Sequence, residues 1–154
     1  MDTSLIRKTM REIMTISRCI NYIRNIQFKK MDIGKDQHQY LTRIYENEGL
    51  NQEELSYMLK IDKATVAKNL KKLEDKGFIK RIKGRRDNRQ WLIYPTEKLR
   101  TMYSEIEQMI ISISKKSFDG LSDDDMKTLL RLTVKVTENT NNEWVRIKKQ
   151  TNVN

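Results

Sequence analysis

A single cysteine, Cys19, excludes an internal disulfide framework. A single histidine, His38, leaves no ligand set for a tetrahedral metal site and no conventional general base. One proline and five glycines in 154 residues, with no low-complexity linker, predict one continuous unit over 1–154. No apolar run is long enough to span a bilayer, and the start MDTSLIRKTMREIM lacks a signal-peptide core, so no membrane partner and a cytoplasmic location are expected. The nucleophile elbow, the P-loop and the dinucleotide fingerprint are also missing, so neither an enzyme nor a cofactor is expected.

What the chain does have is positive charge in one place. Lys and Arg outnumber Asp and Glu by 31 to 21, a net +10. Between Lys60 and Gln90 lie twelve basic and four acidic residues, so this stretch alone carries +8. The same stretch shows two short amphipathic helical patterns followed by strand, basic turn and strand. Charge clustered on a helix-turn-helix and the hairpin behind it is the footprint of a duplex-binding surface.

Local signals place the elements. Apolar residues from Leu5 to Phe28 fall at helical spacing, with Ile6, Ile13 and Ile20 seven apart and Met10, Ile16 and Ile23 between them. Met31–Gly34 breaks that helix, and a second runs from Asp36 to Asn47. Asn51 with Glu54 forms a capping box for a third, whose inner face is Leu55, Met58 and Leu59. Asp62 caps a fourth with Val66, Ala67, Leu70 and Leu73 inward, and Gly77 ends it. Strands are expected over 78–83 and 90–94, joined by GRRDN, with Pro95 ending the second. Thr96 opens a long helix to about Phe118. Ser122 with Asp125 caps a last one, whose course after Asn139 the poor helix formers Asn139-Thr-Asn-Asn142 leave open.

The fold class is therefore mainly α, an α+β winged helix over 36–95, with the helix-turn-helix at about 51–75 and the wing at about 78–95. Helices over 1–32 and 97–150 flank it, and their own apolar stripes predict a homodimer, which suits a palindromic operator. On the fourth helix the outward residues are Lys63, Ala64, Thr65, Lys68, Asn69 and Lys72. Small Ala64 and Thr65 let the backbone approach a major groove, Lys68 reaches guanine or phosphate, and Asn69 suits adenine. Lys60, Lys71, Lys76 and the amides near Asn51 and Gln52 suit phosphates. At the wing tip, Arg85, Arg86 and Arg89 suit a narrow minor groove, with Asp87 pairing a neighbouring arginine to fix its direction.

Residues Asn51–Thr96 resemble the MarR family of bacterial regulators: a helix, a helix-turn-helix ending Leu73-Glu74-x-Lys76-Gly77-Phe78-Ile79, then a wing with Asp87-Asn88-Arg89. The Leu-Thr-x-x-Gly usual after the wing is here Pro95-Thr96-Glu97-Lys98-Leu99. The resemblance implies a homodimer of interdigitating terminal helices, with Arg89 in the minor groove and Asp87 orienting it. It also implies a repressor relieved by a small phenolic or other amphipathic effector, in a cleft for which Tyr22, Tyr40, Tyr45 and Tyr103 are candidates; plain core packing explains those tyrosines equally well. Peroxide-sensing relatives carry a cysteine on the first helix, but Cys19 stands about two turns beyond that position, so a shielded structural thiol is expected. The competing reading from another class is a winged-helix protein-interaction module without sequence-specific DNA binding.

Overall fold

The computed structural model describes residues 2–84 and 90–151. Its elements in order are α1 (Thr3–Lys29), α2 (His38–Glu46), β1 (Leu50–Asn51), α3 (Gln52–Leu59), α4 (Lys63–Asp75), β2 (Ile79–Lys83), β3 (Trp91–Pro95), α5 (Glu97–Ser117) and α6 (Asp123–Thr151). The sheet is antiparallel throughout in the order β1-β3-β2. This is the winged-helix class that the sequence predicts. The chain divides into two compact units, Met1–Ser114 and Lys115–Asn154.

In the first unit the core gathers Phe28 from α1, Tyr40, Leu41 and Ile44 from α2, Leu55 from α3, Val66, Leu70 and Leu73 from α4, Ile79 and Ile93 from the sheet, and Leu99 and Ile106 from α5. The short helices α2 and α4 each turn an apolar side to this core, which is how helices of weak intrinsic propensity are held, while α1 contributes only Phe28 and α3 only Leu55. The α1–α2 loop is fixed by a reciprocal pair: Asn25 Nδ2 donates to Asp36 Oδ1 at 3.0 Å, and Asp36 N donates to Asn25 Oδ1 at 2.8 Å. His38 opens α2 fully inside, stacked on Phe28 with ring centroids 4.8 Å apart. Burial, helped by the Arg24 charge, pushes its pKa down to about 4, against a smaller upward pull from Asp36.

The expected caps are in place. Asn51 Oδ1 accepts from the amides of Glu53 and Glu54 at 2.9 and 3.0 Å while Glu54 Oε2 accepts from Asn51 N at 2.8 Å. Asp62 Oδ1 accepts from Thr65 N at 2.8 Å. Gly77 ends α4 at φ 72°, a left-handed conformation that strains other residues. Three details differ from expectation. Met58 is exposed and Ser56 is buried instead, because the Ser56 hydroxyl donates to Ile61 O at 2.6 Å and closes the turn between α3 and α4 from within. The two-residue strand β1 was not anticipated; it pairs Leu50 with Ile93 and Asn51 with Leu92, and is too short to show a period. Cys19, expected to be shielded, is exposed on α1, because the isoleucine stripe beside it is itself uncovered in a single chain.

The second unit holds α6, one continuous helix of 29 residues that passes straight through Asn139–Asn142. Ser122 and Asp125 form its cap, with Asp125 N donating to Ser122 Oγ at 3.2 Å and Ser122 N to Asp125 Oδ2 at 3.0 Å. Leu129, Leu130, Leu132, Val134, Val136 and Ile147 all stand exposed on it. Among the described residues no helix is long and apolar enough to cross a membrane.

Candidate nucleic-acid interface

The surface is built from three pieces: the start of α3, the outward side of α4, and the β2–β3 hairpin. Two N-terminal caps set the first two. Because Asn51 and Asp62 hold amides at the starts of α3 and α4, both helices begin sharply, and the turn between them is tightened by Lys60 in the left-handed region at φ 57°. Thr65 N–H holds the Asp62 carboxyl below its usual pKa, so this cap is ionised across the neutral range.

On α4 the residues Lys63, Ala64, Thr65, Lys68 and Lys72 are exposed, and Val66, Leu70 and Leu73 are buried behind them. Thr65, Lys68 and Lys72 recur at three and four residues, which puts them on one side of the helix. Lys68 and Lys72 have no carboxylate partner among the described residues. Lys63 differs, since its Nζ lies 2.7 Å from Glu53 Oε1 on α3. Gln52 also spans the two helices, donating from Nε2 to Lys63 O at 3.2 Å. The Asn69 amide is turned inward: Nδ2 donates to Thr65 O at 3.1 Å and reaches Tyr40 OH at 3.4 Å, so the group expected to face adenine links α4 to α2 in the free protein. Tyr40 is buried, which pushes its hydroxyl pKa up.

Two of the lysines expected to suit phosphates are engaged elsewhere. Lys60 Nζ sits 3.8 Å from the centroid of the Tyr57 ring. Lys76, at the end of α4, donates to Asp32 O at 2.6 Å and Asp32 Oδ1 at 2.7 Å, which ties the α1–α2 loop to this helix and holds the Asp32 carboxyl below its usual pKa. Lys71 stays exposed.

The hairpin is anchored at both ends. At its base, Arg81 Nε and NH2 donate to Glu74 Oε2 at 3.0 and 2.5 Å, fixing β2 to α4; the pair holds the Glu74 pKa down and the Arg81 pKa up. Towards the tip, Gly84 N donates to Gln90 O at 2.9 Å. The tip residues Arg85, Arg86, Asp87 and Arg89 lie outside the described residues. At the exit Thr96 Oγ1 donates to Gly77 O and Phe78 O at 2.6 and 3.0 Å, so the Pro95-Thr96 junction is closed without the glycine usual in the resembled motif.

The four candidate effector tyrosines are placed in three different settings. Tyr45 and Tyr103 stack on each other at 3.5 Å, Tyr40 is core, and Tyr22 stands exposed on α1 beside a cavity of about 570 Å³ reaching Ile26, Lys29, Ile33, Lys35 and Lys76. The ion pairs of Glu53 with Lys63 and of Glu74 with Arg81 have no signature in the sequence, since pairs seven to ten residues apart across a turn leave no periodic signal. Trp91, exposed at the base of the wing, is legible in the sequence as an aromatic in a basic hairpin.

The chain resembles known proteins in sequence and in fold. The profile of the MarR family matches residues 35–91. The HTH-type transcriptional regulator YybA of Bacillus subtilis (strain 168) is 34% identical over 140 residues, covering 91% of this chain and 93% of its own. MgrA of Staphylococcus aureus, also an HTH-type transcriptional regulator, is 31% identical over 115 residues, covering 75% of this chain and 77% of its own. Among solved structures, a MarR protein from Peptoclostridium difficile superimposes with a TM-score of 0.89 at 34% identity, covering 96% of each chain. A MarR family regulator from Listeria monocytogenes, solved with a 26mer DNA, has a TM-score of 0.87 at 34% identity, covering 91% of this chain and 93% of that one.

Proposed function

The chain belongs to the MarR family of DNA-binding transcriptional regulators, and from that premise we propose that it acts as a homodimeric, sequence-specific repressor relieved by a small amphipathic effector. The observation that carries the reading is the outward side of α4, where small and cationic residues stand clear of solvent-excluding neighbours. In this reading Ala64 and Thr65 approach base edges in a major groove, Lys68 reaches guanine or phosphate, and Lys63 and Lys72 neutralise phosphates, as do the amides near Asn51 and Gln52. The wing enters the adjacent minor groove with Arg85, Arg86 and Arg89, and Asp87 orients an arginine. Asn69 reads a base only after giving up its present bonds to Thr65 and Tyr40.

The dimer reading rests on uncovered apolar surface. Leu5, Ile6, Met10, Ile13, Met14, Ile16, Ile23 and Ile26 are all exposed on α1, and α6 leaves its own leucine and valine residues exposed. Apolar patches of this extent on a polar chain mark an interface. The terminal segments 1–32 and 97–150 serve as the dimerisation helices, 36–95 as the DNA-binding part, and the complex works in the cytoplasm. An effector near Tyr22, Tyr40, Tyr45 or Tyr103 would shift the dimer between DNA-fitting and non-fitting spacings of its two α4 helices.

Selection of bound duplexes from a random pool tests this directly. Enrichment of a palindrome with half-sites one helical turn apart is expected, and a pool that stays unenriched while the protein remains folded contradicts it.

A further inference from the structure

We infer that Trp91 and Lys83, at the base of the wing, form a grip on the sugar–phosphate backbone of the duplex, beyond the recognition helix and the wing tip. The inference rests on the DNA-binding reading above and adds a contact to it.

Along β3 the side chains alternate, so Trp91, Ile93 and Pro95 share one side of the hairpin. Ile93 and Pro95 are buried on that side, whereas Trp91 lies past the end of the core and is 49% exposed. An indole left half in water at the edge of a folded core is costly, because aromatic side chains bring the largest apolar area of any residue. Its cross-strand partner is Lys83, whose Nζ lies 5.6 Å from the ring centroid. Lys83 is exposed and has no carboxylate partner among the described residues.

The place explains the pairing. Trp91 borders a cleft of about 260 Å³ between the hairpin and the start of α3, reached also by Asn51, Gln52, Glu53, Leu70 and Arg81. In the proposed complex these two walls flank a backbone strand while α4 lies in the neighbouring groove. Of the charged residues lining the cleft, Glu53 is paired with Lys63 and Arg81 with Glu74, whereas Lys83, opposite Trp91 in the ladder at its edge, carries no ion pair among the described residues. A phosphodiester strand alternates anionic phosphate with apolar deoxyribose. An ammonium beside an indole matches that alternation, the former taking phosphate and the latter covering the sugar. Such a contact carries no base information and therefore adds affinity without preference.

Tryptophan occurs only at 91 and 144, so Trp144→Phe leaves Trp91 as the sole indole emitter. The experiment follows acrylamide quenching of that emission while a mixed-sequence, end-labelled duplex is titrated at low salt, with anisotropy of the label read in the same samples. Quenching should fall by about half or more, with the same midpoint as the anisotropy. Trp91→Ala should weaken binding about tenfold on every duplex without changing the preferred sequence, and Trp91→Phe should restore most of it. If Trp144→Phe does not fold, the difference between wild type and Trp91→Phe gives the same reading. Anisotropy that rises while Trp91 stays equally quenchable overturns this contact alone; no anisotropy change overturns the DNA-binding reading with it. Protection of Trp91 by raised protein concentration without DNA would overturn it in favour of a surface between copies.

Discussion

Acidification should act on this protein first through His38. In the fold the imidazole is 4% exposed, stacked on Phe28, with Nδ1 buried and without a hydrogen-bond partner among the described residues. The Arg24 cation opposes a second positive charge there, and the Asp36 carboxylate only partly offsets it. The folded pKa is about 4 against an ordinary value of 6.5. In the window between those values the unfolded chain takes up a proton and the folded one does not, so stability is full above 6.5 and is lost as pH falls through 4. The difference amounts to about 3 kcal/mol in all, of which about 2 kcal/mol falls between roughly pH 7 and pH 5. Carboxylates with lowered pKa, such as Glu74 and Asp32, lose their contribution at still lower pH and barely enter that interval. Urea unfolding at fixed protein concentration, repeated across the interval, measures the loss. His38→Phe keeps a ring against Phe28 and removes the titration, so its stability should be nearly flat over the same range. His38 is the only histidine, so its ring-proton resonance should titrate alone and far below the ordinary range in the folded state. Equal losses in wild type and His38→Phe would refute the reasoning.

Three further outcomes follow from the same structure. Changing Ile13 and Ile20 to Lys together should convert a sedimenting dimer at micromolar concentration into monomer or unfolded chain, because the substitution puts charge into the proposed apolar seam. Glu53→Gln should release Lys63 from its 2.7 Å ion pair and tighten duplex binding a few-fold in low salt, with the gain fading as salt rises, as read by anisotropy. Gly77→Ala meets no atom within 4 Å but forces alanine to φ 72°, so thermal unfolding should show a loss of about 1 kcal/mol from backbone strain alone.

What was readable in the sequence was local. The Asn51 and Asp62 caps, Gly77 at the end of α4, and the two paired strands of the hairpin each need only a few neighbouring residues, and each is present in the structure. On α3, eight residues make barely two turns, too few for period to separate buried Ser56 from exposed Met58. In α6, Asn139–Asn142 disfavour a helix by composition, whereas the structure carries the helix through with Thr140 Oγ1 donating back to Val136 O at 2.8 Å. At the interface, the outward residues of α4 followed from periodicity, but the inward turn of the Asn69 amide depends on Tyr40, 29 residues away. The tie of Lys76 to Asp32 spans 44 residues and has no signature in either segment.

The basic surface of α3, α4 and the wing should bind duplex DNA, and the salt dependence of that binding tests this most directly. A labelled duplex carrying the selected palindrome should bind with an affinity that falls steeply and linearly on a log–log plot against salt, at a slope of about −0.9 per phosphate neutralised. Lys72→Ala should reduce that slope by about one for each site it occupies, leaving the preferred sequence unchanged. A flat salt dependence, or equal affinity for the palindrome and an unrelated duplex at every salt concentration, would contradict the account and favour a protein-interaction module.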